Sequence, residues 1–76
     1  MKSLKSKSYR SMFGKFIKEA REYKGLSQTE AAELVGITQS YLSYLEKGRR
    51  EIDLVLAMRL CDVVGVDMRD FINRCM

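Results

Sequence analysis

The sequence has no histidine, no proline and no tryptophan, and it has only two cysteines, Cys61 and Cys75. A zinc site needs about four nitrogen or sulfur ligands at close paired spacings, so this composition argues strongly against a metal centre. We expect both thiols to be reduced, with Cys61 as a small apolar residue of the core. The absence of proline and a hydrophobic fraction of 46% favour an all-α bundle over a β-sandwich, which needs many turns.

Long apolar segments and catalytic patterns are also absent. No run approaches the roughly 20 apolar residues of a membrane-spanning helix, and no apolar segment follows the basic N-terminus as in a secretory signal. We therefore expect a cytoplasmic protein without a membrane partner. With no histidine, no carboxylate pair in an apolar setting and no glycine-rich phosphate loop, the sequence does not indicate an enzyme, and we expect no cofactor.

Positive charge is concentrated at the N-terminus. The formal net charge is +4, and Lys2, Lys5, Lys7 and Arg10 supply this excess within a segment that contains no acid. A Ser/Lys-rich segment of this kind cannot bury enough apolar surface to fold alone. The sequence therefore predicts a flexible basic arm over residues 1–10 and one small domain over residues 11–76. The arm is either a solubilising tail or a segment that contacts phosphates or enters a groove.

Capping residues and glycines predict five helices in a compact bundle. The capping-box pattern from Ser27 to Glu30 starts the second helix, and Gly36 ends it because a tight turn there requires a positive φ. Thr38 then caps a third helix. The five predicted helices run from Ser11 to Lys24, Ser27 to Gly36, Thr38 to Lys47, Asp53 to Gly65, and Asp67 to the C-terminus.

The short second and third helices are separated by a turn of only a few residues. Two such helices with a glycine in the turn form a helix-turn-helix, whose second helix can lie in a DNA major groove. Ala32 is small where the helices would cross, and Leu42 and Leu45 would face inward. The outward face then carries Ser40, Ser43, Tyr44 and Lys47, flanked by Gln39 and Tyr41. Their amide, hydroxyl and phenol groups can form hydrogen bonds with base edges. A helix face that contacts only solvent usually carries more charged residues.

From about Phe13 to Ile72 the sequence resembles the Cro and phage-repressor type of helix-turn-helix domain, the Xre-like family. The segments LSQTEAAELVGITQSYLSYLEKGRR and LCDVVGVDMRDFI carry the resemblance. It implies a λ-repressor-like five-helix fold that binds a short palindromic operator in double-stranded DNA as a homodimer. It also implies a buried ion pair between Arg21 and Glu46. The implied base contacts come from Gln39, Ser40, Tyr44 and, more weakly, Ser43, and the implied phosphate contacts from Gln28, Tyr41, Lys47, Arg49 and Arg50.

The fourth predicted helix departs from the family pattern. The preceding loop lacks the usual proline, and Leu54 to Met58 form an unbroken apolar run. Such a run covers more than one face of a helix, so the second face must be buried elsewhere or exposed. We predict a dimer interface built from helices 4 and 5, although packing entirely within the core is an alternative. The interface candidates are Val55, Met58, Phe71, Cys75 and Met76.

These patterns together predict a sequence-specific transcriptional regulator. The chain has no room for a sensor domain, so we expect a stand-alone repressor or controller protein, with RNA polymerase as a further partner if it activates. The main alternative is a protein-interaction adaptor with the same fold. RNA binding is a weaker alternative, because the narrow major groove of RNA excludes a helix.

Overall fold

The computed structural model describes residues 3–4 and 7–75, and most of these residues are helical. The helices are α1 (Lys7–Lys24), α2 (Gln28–Val35), α3 (Gln39–Glu46), α4 (Leu54–Val64) and α5 (Met68–Cys75). Two short antiparallel strands, β1 (Ser3–Leu4) and β2 (Ile52–Asp53), pair with Ser3 opposite Asp53 and Leu4 opposite Ile52. The predicted all-α, five-helix architecture is confirmed. No helix in the described part is both long and apolar enough to cross a membrane.

The N-terminal segment differs from the prediction of a flexible arm. Helix α1 begins at Lys7 rather than near Ser11, so residues 7–10 belong to the bundle. Arg10 lies on the same helical stripe as the buried Phe13 and is itself partly buried. The only apolar residue in this turn is Tyr9, which is exposed, so the sequence showed no apolar pattern here. Lys2 and Lys5, which the arm prediction also included, lie outside the described residues.

Three helices begin at the predicted caps. The Ser27 hydroxyl accepts a hydrogen bond of 3.0 Å from the Glu30 amide, and the Glu30 carboxylate accepts one of 3.0 Å from the Ser27 amide. These bonds lower the pKa of Glu30, because they favour its charged form. Thr38 caps α3 through the Tyr41 amide at 3.0 Å, and Asp53 caps α4 through the Leu56 amide at 2.8 Å. Each cap satisfies an amide that the helix itself leaves unpaired.

The core takes side chains from all five helices. Phe71 of α5 packs edge-to-face on Phe13 of α1, with ring centroids 5.0 Å apart. The prediction that Phe71 lies in a dimer interface is therefore wrong, because its side chain is only 4% exposed and fills the space between α1 and α5. Cys61 is buried as expected, and burial raises the pKa of its thiol to about 11. The other buried apolar residues are Phe16, Ile17, Ala31, Ala32, Val35, Leu42, Leu45, Ile52, Ala57, Leu60 and Val64.

Helix α1 approaches the end of α3 closely at Gly14. A Cβ atom at this position would collide with the carbonyl oxygens of Leu45 and Glu46, the second of them 2.6 Å away. These acceptors are backbone atoms, so the contact cannot be relieved by turning a side chain. The missing side chain at Gly14 therefore sets how near α1 lies to the last turn of α3.

The same two helices are joined by the ion pair that the family resemblance implies. Arg21 of α1 donates from Nε to Glu46 Oε2 at 2.7 Å and from Nη2 to Glu46 Oε1 at 3.1 Å. Its Nη1 donates to the carbonyl oxygen of Leu26 at 2.7 Å, just before α2. The two side chains are only 8% and 2% exposed. The hydrogen bond to Glu46 is the main reason that the pKa of Arg21 is raised.

Replacing Glu46 with alanine should lower the free energy of unfolding by about 3–5 kcal/mol, because the Arg21 charge would remain buried without its partner. Thermal or urea denaturation measures the change. The control is Glu33→Ala on the exposed side of α2, which should leave the midpoint nearly unchanged. A Glu46→Ala melting temperature equal to that of the wild type would contradict the structural role of the pair.

Candidate nucleic-acid interface

Helices α2 and α3 form the helix-turn-helix that the glycine-containing turn predicts. Gly36 adopts φ +87° directly after α2, and its amide donates to the carbonyl oxygen of Ala32 at 2.8 Å. Ala32 is buried, as its place at the helix crossing requires. The inward residues Leu42 and Leu45 are also buried, so α3 is held by its apolar side and its opposite side remains exposed.

The exposed side of α3 brings together the residues predicted to contact bases. Tyr44 is 46% exposed, Gln39 and Ser40 are exposed, and Ser43 is partly exposed. Together with Lys47, these side chains line a shallow depression of about 140 Å³. The surface therefore presents an amide, two hydroxyls and a phenol in a single row, with a positive charge at its C-terminal end.

Basic groups lie beside this row. The guanidinium carbon of Arg50 is 5.7 Å from the centre of the Tyr41 ring, within the range of a cation–π contact. Arg49 is exposed, and its amide donates to the carbonyl oxygen of Tyr44 at 3.0 Å, which ties the loop to the end of α3. A second depression of about 360 Å³ runs from the row toward this loop and is lined by Thr38, Ser40, Tyr41, Tyr44 and Arg50.

The remaining predicted residue, Gln28, makes contacts that the sequence did not indicate. Its Nε2 donates to Glu46 Oε1 at 2.9 Å, and its Oε1 accepts from Nε2 of Gln39 at 2.6 Å. Gln28 and Gln39 are the first residues of α2 and α3, so the two helix N-termini lie side by side. Helix N-termini favour anions such as phosphate. The only sequence signal for this link was the occurrence of glutamine at the start of both helices.

A separate apolar surface is exposed on α4. Met58 is 52% exposed, Val55 is 46% exposed, and Leu54 beside them is also exposed. On α5, Ile72 is exposed in place of the buried Phe71, and Cys75 is partly buried. Met76, the last predicted interface residue, lies outside the described residues. The second face of the apolar run from Leu54 to Met58 is therefore not covered by the described part of the chain.

Comparison with known proteins agrees with this geometry. A family model described as helix-turn-helix, HTH_3, matches residues 17–71. An uncharacterized HTH-type transcriptional regulator of Methanothermobacter thermautotrophicus is 45% identical over 49 residues, which are 64% of this chain and 71% of that protein. Some similar regulators are longer than this chain, which spans 32% to 51% of the length of three of them.

Two solved structures are similar in both sequence and fold. The restriction-modification controller protein C.AhdI from Aeromonas hydrophila is 32% identical, with a TM-score of 0.78 over 86% of this chain and 94% of that chain. SinR, a master regulator for biofilm formation solved in complex with DNA, is 30% identical, with a TM-score of 0.71 over 79% of this chain and 97% of that chain. The chain therefore belongs to the HTH_3 family of helix-turn-helix transcriptional regulators, the Xre and λ-repressor-like class.

Proposed function

We propose that this regulator acts as a homodimer that binds a palindromic operator, with α3 in the major groove of each half-site. The observation that carries the proposal is the row of Gln39, Ser40 and Tyr44 on the exposed face of α3, flanked by basic residues. A B-DNA major groove is wide enough to admit an α-helix and displays a different set of donors and acceptors for each base pair. SinR, which is 30% identical to this chain, was solved in complex with DNA.

The side chains on α3 divide between reading bases and holding the backbone. Gln39 would pair with adenine, and Ser40, Ser43 and Tyr44 would contact neighbouring bases through their hydroxyls. Phosphates on either side would be held by charged and polar groups, which supply the salt-dependent part of the affinity. The proposed phosphate contacts are Gln28, Tyr41, Lys47, Arg49 and Arg50.

The apolar surface on α4 supports the dimer part of the proposal. A two-fold axis beside this surface would bury Val55 and Met58 against the same residues of a second copy. Leu54 of α4 and Ile72 of α5 are also exposed, and Cys75 is partly buried. To read the two half-sites of a palindrome, the two α3 helices of the dimer would have to lie about 34 Å apart, one turn of DNA. The similarity to C.AhdI favours a controller or repressor role, and RNA polymerase would be a further partner if the protein activates.

Selection from a random duplex DNA library at near-physiological salt tests the function directly. We expect enrichment of a palindrome whose half-sites lie about one helical turn apart. A bound pool that stayed random would mean that attraction to DNA is only electrostatic, and it would favour the protein-interaction adaptor instead.

Two alanine variants should separate the two kinds of contact. Arg50→Ala should weaken binding to all sequences alike and flatten the dependence of affinity on salt, because it removes a phosphate contact. Gln39→Ala should relax the preference at one base position by about 1–3 kcal/mol. Sequencing of the selected pools and salt titrations measure both effects. Identical sequence profiles for the wild type and Gln39→Ala would refute the base-reading role.

Met58→Glu tests the dimer. In a two-fold apolar interface, the new carboxylate would lie buried against the same carboxylate of the second copy. The molecular mass from light scattering at micromolar concentration should therefore fall from that of a dimer to that of a monomer. Because Met58 is half exposed, the monomer fold should survive, and circular dichroism checks this. Tyr23→Glu, at a 96% exposed position on α1, is the matched control and should remain dimeric. A wild-type protein that is strictly monomeric would eliminate the interface.

A further inference from the structure

Three sulfur-containing side chains lie together where α4 is followed by α5. Met58 and Cys61 belong to α4, and Met68 is the first residue of α5. All three line an open depression of about 430 Å³. Its other lining residues are Asp62, Gly65, Val66 and Asp67. None of these residues belongs to the surface proposed to contact DNA.

The two inner sulfurs are separated by a distance that suits one shared metal ion. The Cys61 thiol donates to the sulfur of Met68, and the two sulfur atoms are 3.7 Å apart. Two sulfurs that each lie ~2.3 Å from one metal ion, at the tetrahedral angle, are ~3.8 Å apart. An ion that replaced the thiol proton would therefore need little movement of either side chain.

The kind of ligand favours a soft cation. Thiolate and thioether sulfur select Cu(I), which is stable with only about two or three such ligands. Met58 is half exposed, and its flexible, unbranched side chain can bring a third sulfur to the ion from the rim. Among the described residues, no three histidine, cysteine or acidic side chains are grouped to hold a metal ion. The depression therefore differs from the zinc centre that the composition argues against.

Charge favours a monovalent ion. Cys61 is only 2% exposed, and a buried charge is costly unless it is paired. A thiolate and a monovalent cation are neutral together, so the pair can remain buried. Burial, and then the charges of Asp62 and Asp67, raise the pKa of the Cys61 thiol to about 11. The same two carboxylates would attract a cation to the depression.

We propose that Cys61, Met68 and Met58 form a Cu(I) site between α4 and α5. The Cys61 thiol releases its proton to solvent and binds the ion as a thiolate. Met68 supplies the second sulfur, and Met58 turns in from the rim as the third. One proton leaves for each ion bound, and the oxidation state of copper does not change. The site goes beyond the proposed function and does not depend on it.

A competition titration of the whole chain tests the site. Cu(I) is supplied with an excess of a coloured chelator of moderate affinity, without oxygen and with a reductant. The absorbance of the chelator complex shows how much ion the protein removes. We expect one ion per chain, with sulfur neighbours at ~2.3 Å in X-ray absorption spectra. No competition with the chelator, or a shell of nitrogen and oxygen neighbours, would overturn the proposal.

The pH dependence of the affinity identifies the thiol. A thiol with a pKa of about 11 is protonated at neutral pH, so each ion must displace a proton. After correction for the chelator, the affinity should rise roughly tenfold per pH unit across neutrality. The other charged groups near the depression are Asp62, Asp67, Arg69 and Lys24. The chain has no histidine, so this slope reports the thiol, and an affinity independent of pH would contradict a thiolate ligand.

Three substitutions assign the ligands. Cys61→Ala should abolish binding. Met68→Leu should weaken it at least about tenfold, since even the loss of a residue that only orients a ligand costs about 10–100-fold. Met58→Leu should weaken it by a smaller factor, because this sulfur must move in from the rim. Circular dichroism checks that each variant folds.

Cys75→Ala and Met12→Leu are the matched controls. They make the same chemical changes at the end of α5 and on α1, outside the depression, and should keep the wild-type affinity. The proposal is wrong if Cys61→Ala retains the ion, if Cys75→Ala loses it, or if either variant at Met58 and Met68 binds like the wild type. If Cys61→Ala does not fold, the methionine variants and the pH dependence still decide the question. The titration contains no DNA, so its failure would leave the proposed function standing.

Discussion

The buried pair of Arg21 and Glu46 joins three parts of the structure that are distant in sequence. Arg21 lies on α1, Glu46 ends α3, and the third hydrogen bond of Arg21 reaches Leu26 just before α2. Two charges removed from water are stable only when their hydrogen bonds are satisfied, so the pair tolerates little movement of these elements. Gly14 makes the arrangement possible, because a side chain there would collide with the backbone that carries Glu46.

The exposed face of α3 depends on this packing. A helix of eight residues is too short to be stable alone in water, so its shape comes from its contacts with the rest of the bundle. Leu42 and Leu45 supply these contacts from one side, and the Thr38 cap and Glu46 hold the two ends. The polar row on the opposite side is consequently positioned by the bundle, which is what the proposed reading of DNA bases would require.

The local parts of the fold were predictable from the sequence. Ser27, Thr38 and Asp53 were recognised as caps because a capping residue acts on an amide only three positions away. The start of α1 was missed, since residues 7–10 have no apolar pattern of their own and are helical in the context of the bundle. The role of Phe71 was also missed. An apolar residue on a short helix can face either way, and only the position of Phe13 shows that it faces inward.

The sequence by itself determined the order of the helices, their ends apart from the start of α1, and which side of α3 is polar, because these properties depend on residues within a few positions of one another. Tertiary structure decided the links between distant residues. The hydrogen bonds of Gln28 to Glu46 and to Gln39 exist because α2 packs against α3 with the two helix N-termini side by side. The exposure of Val55 and Met58 was decided in the same way, because burial depends on which neighbouring element covers a face and not on the residues within it.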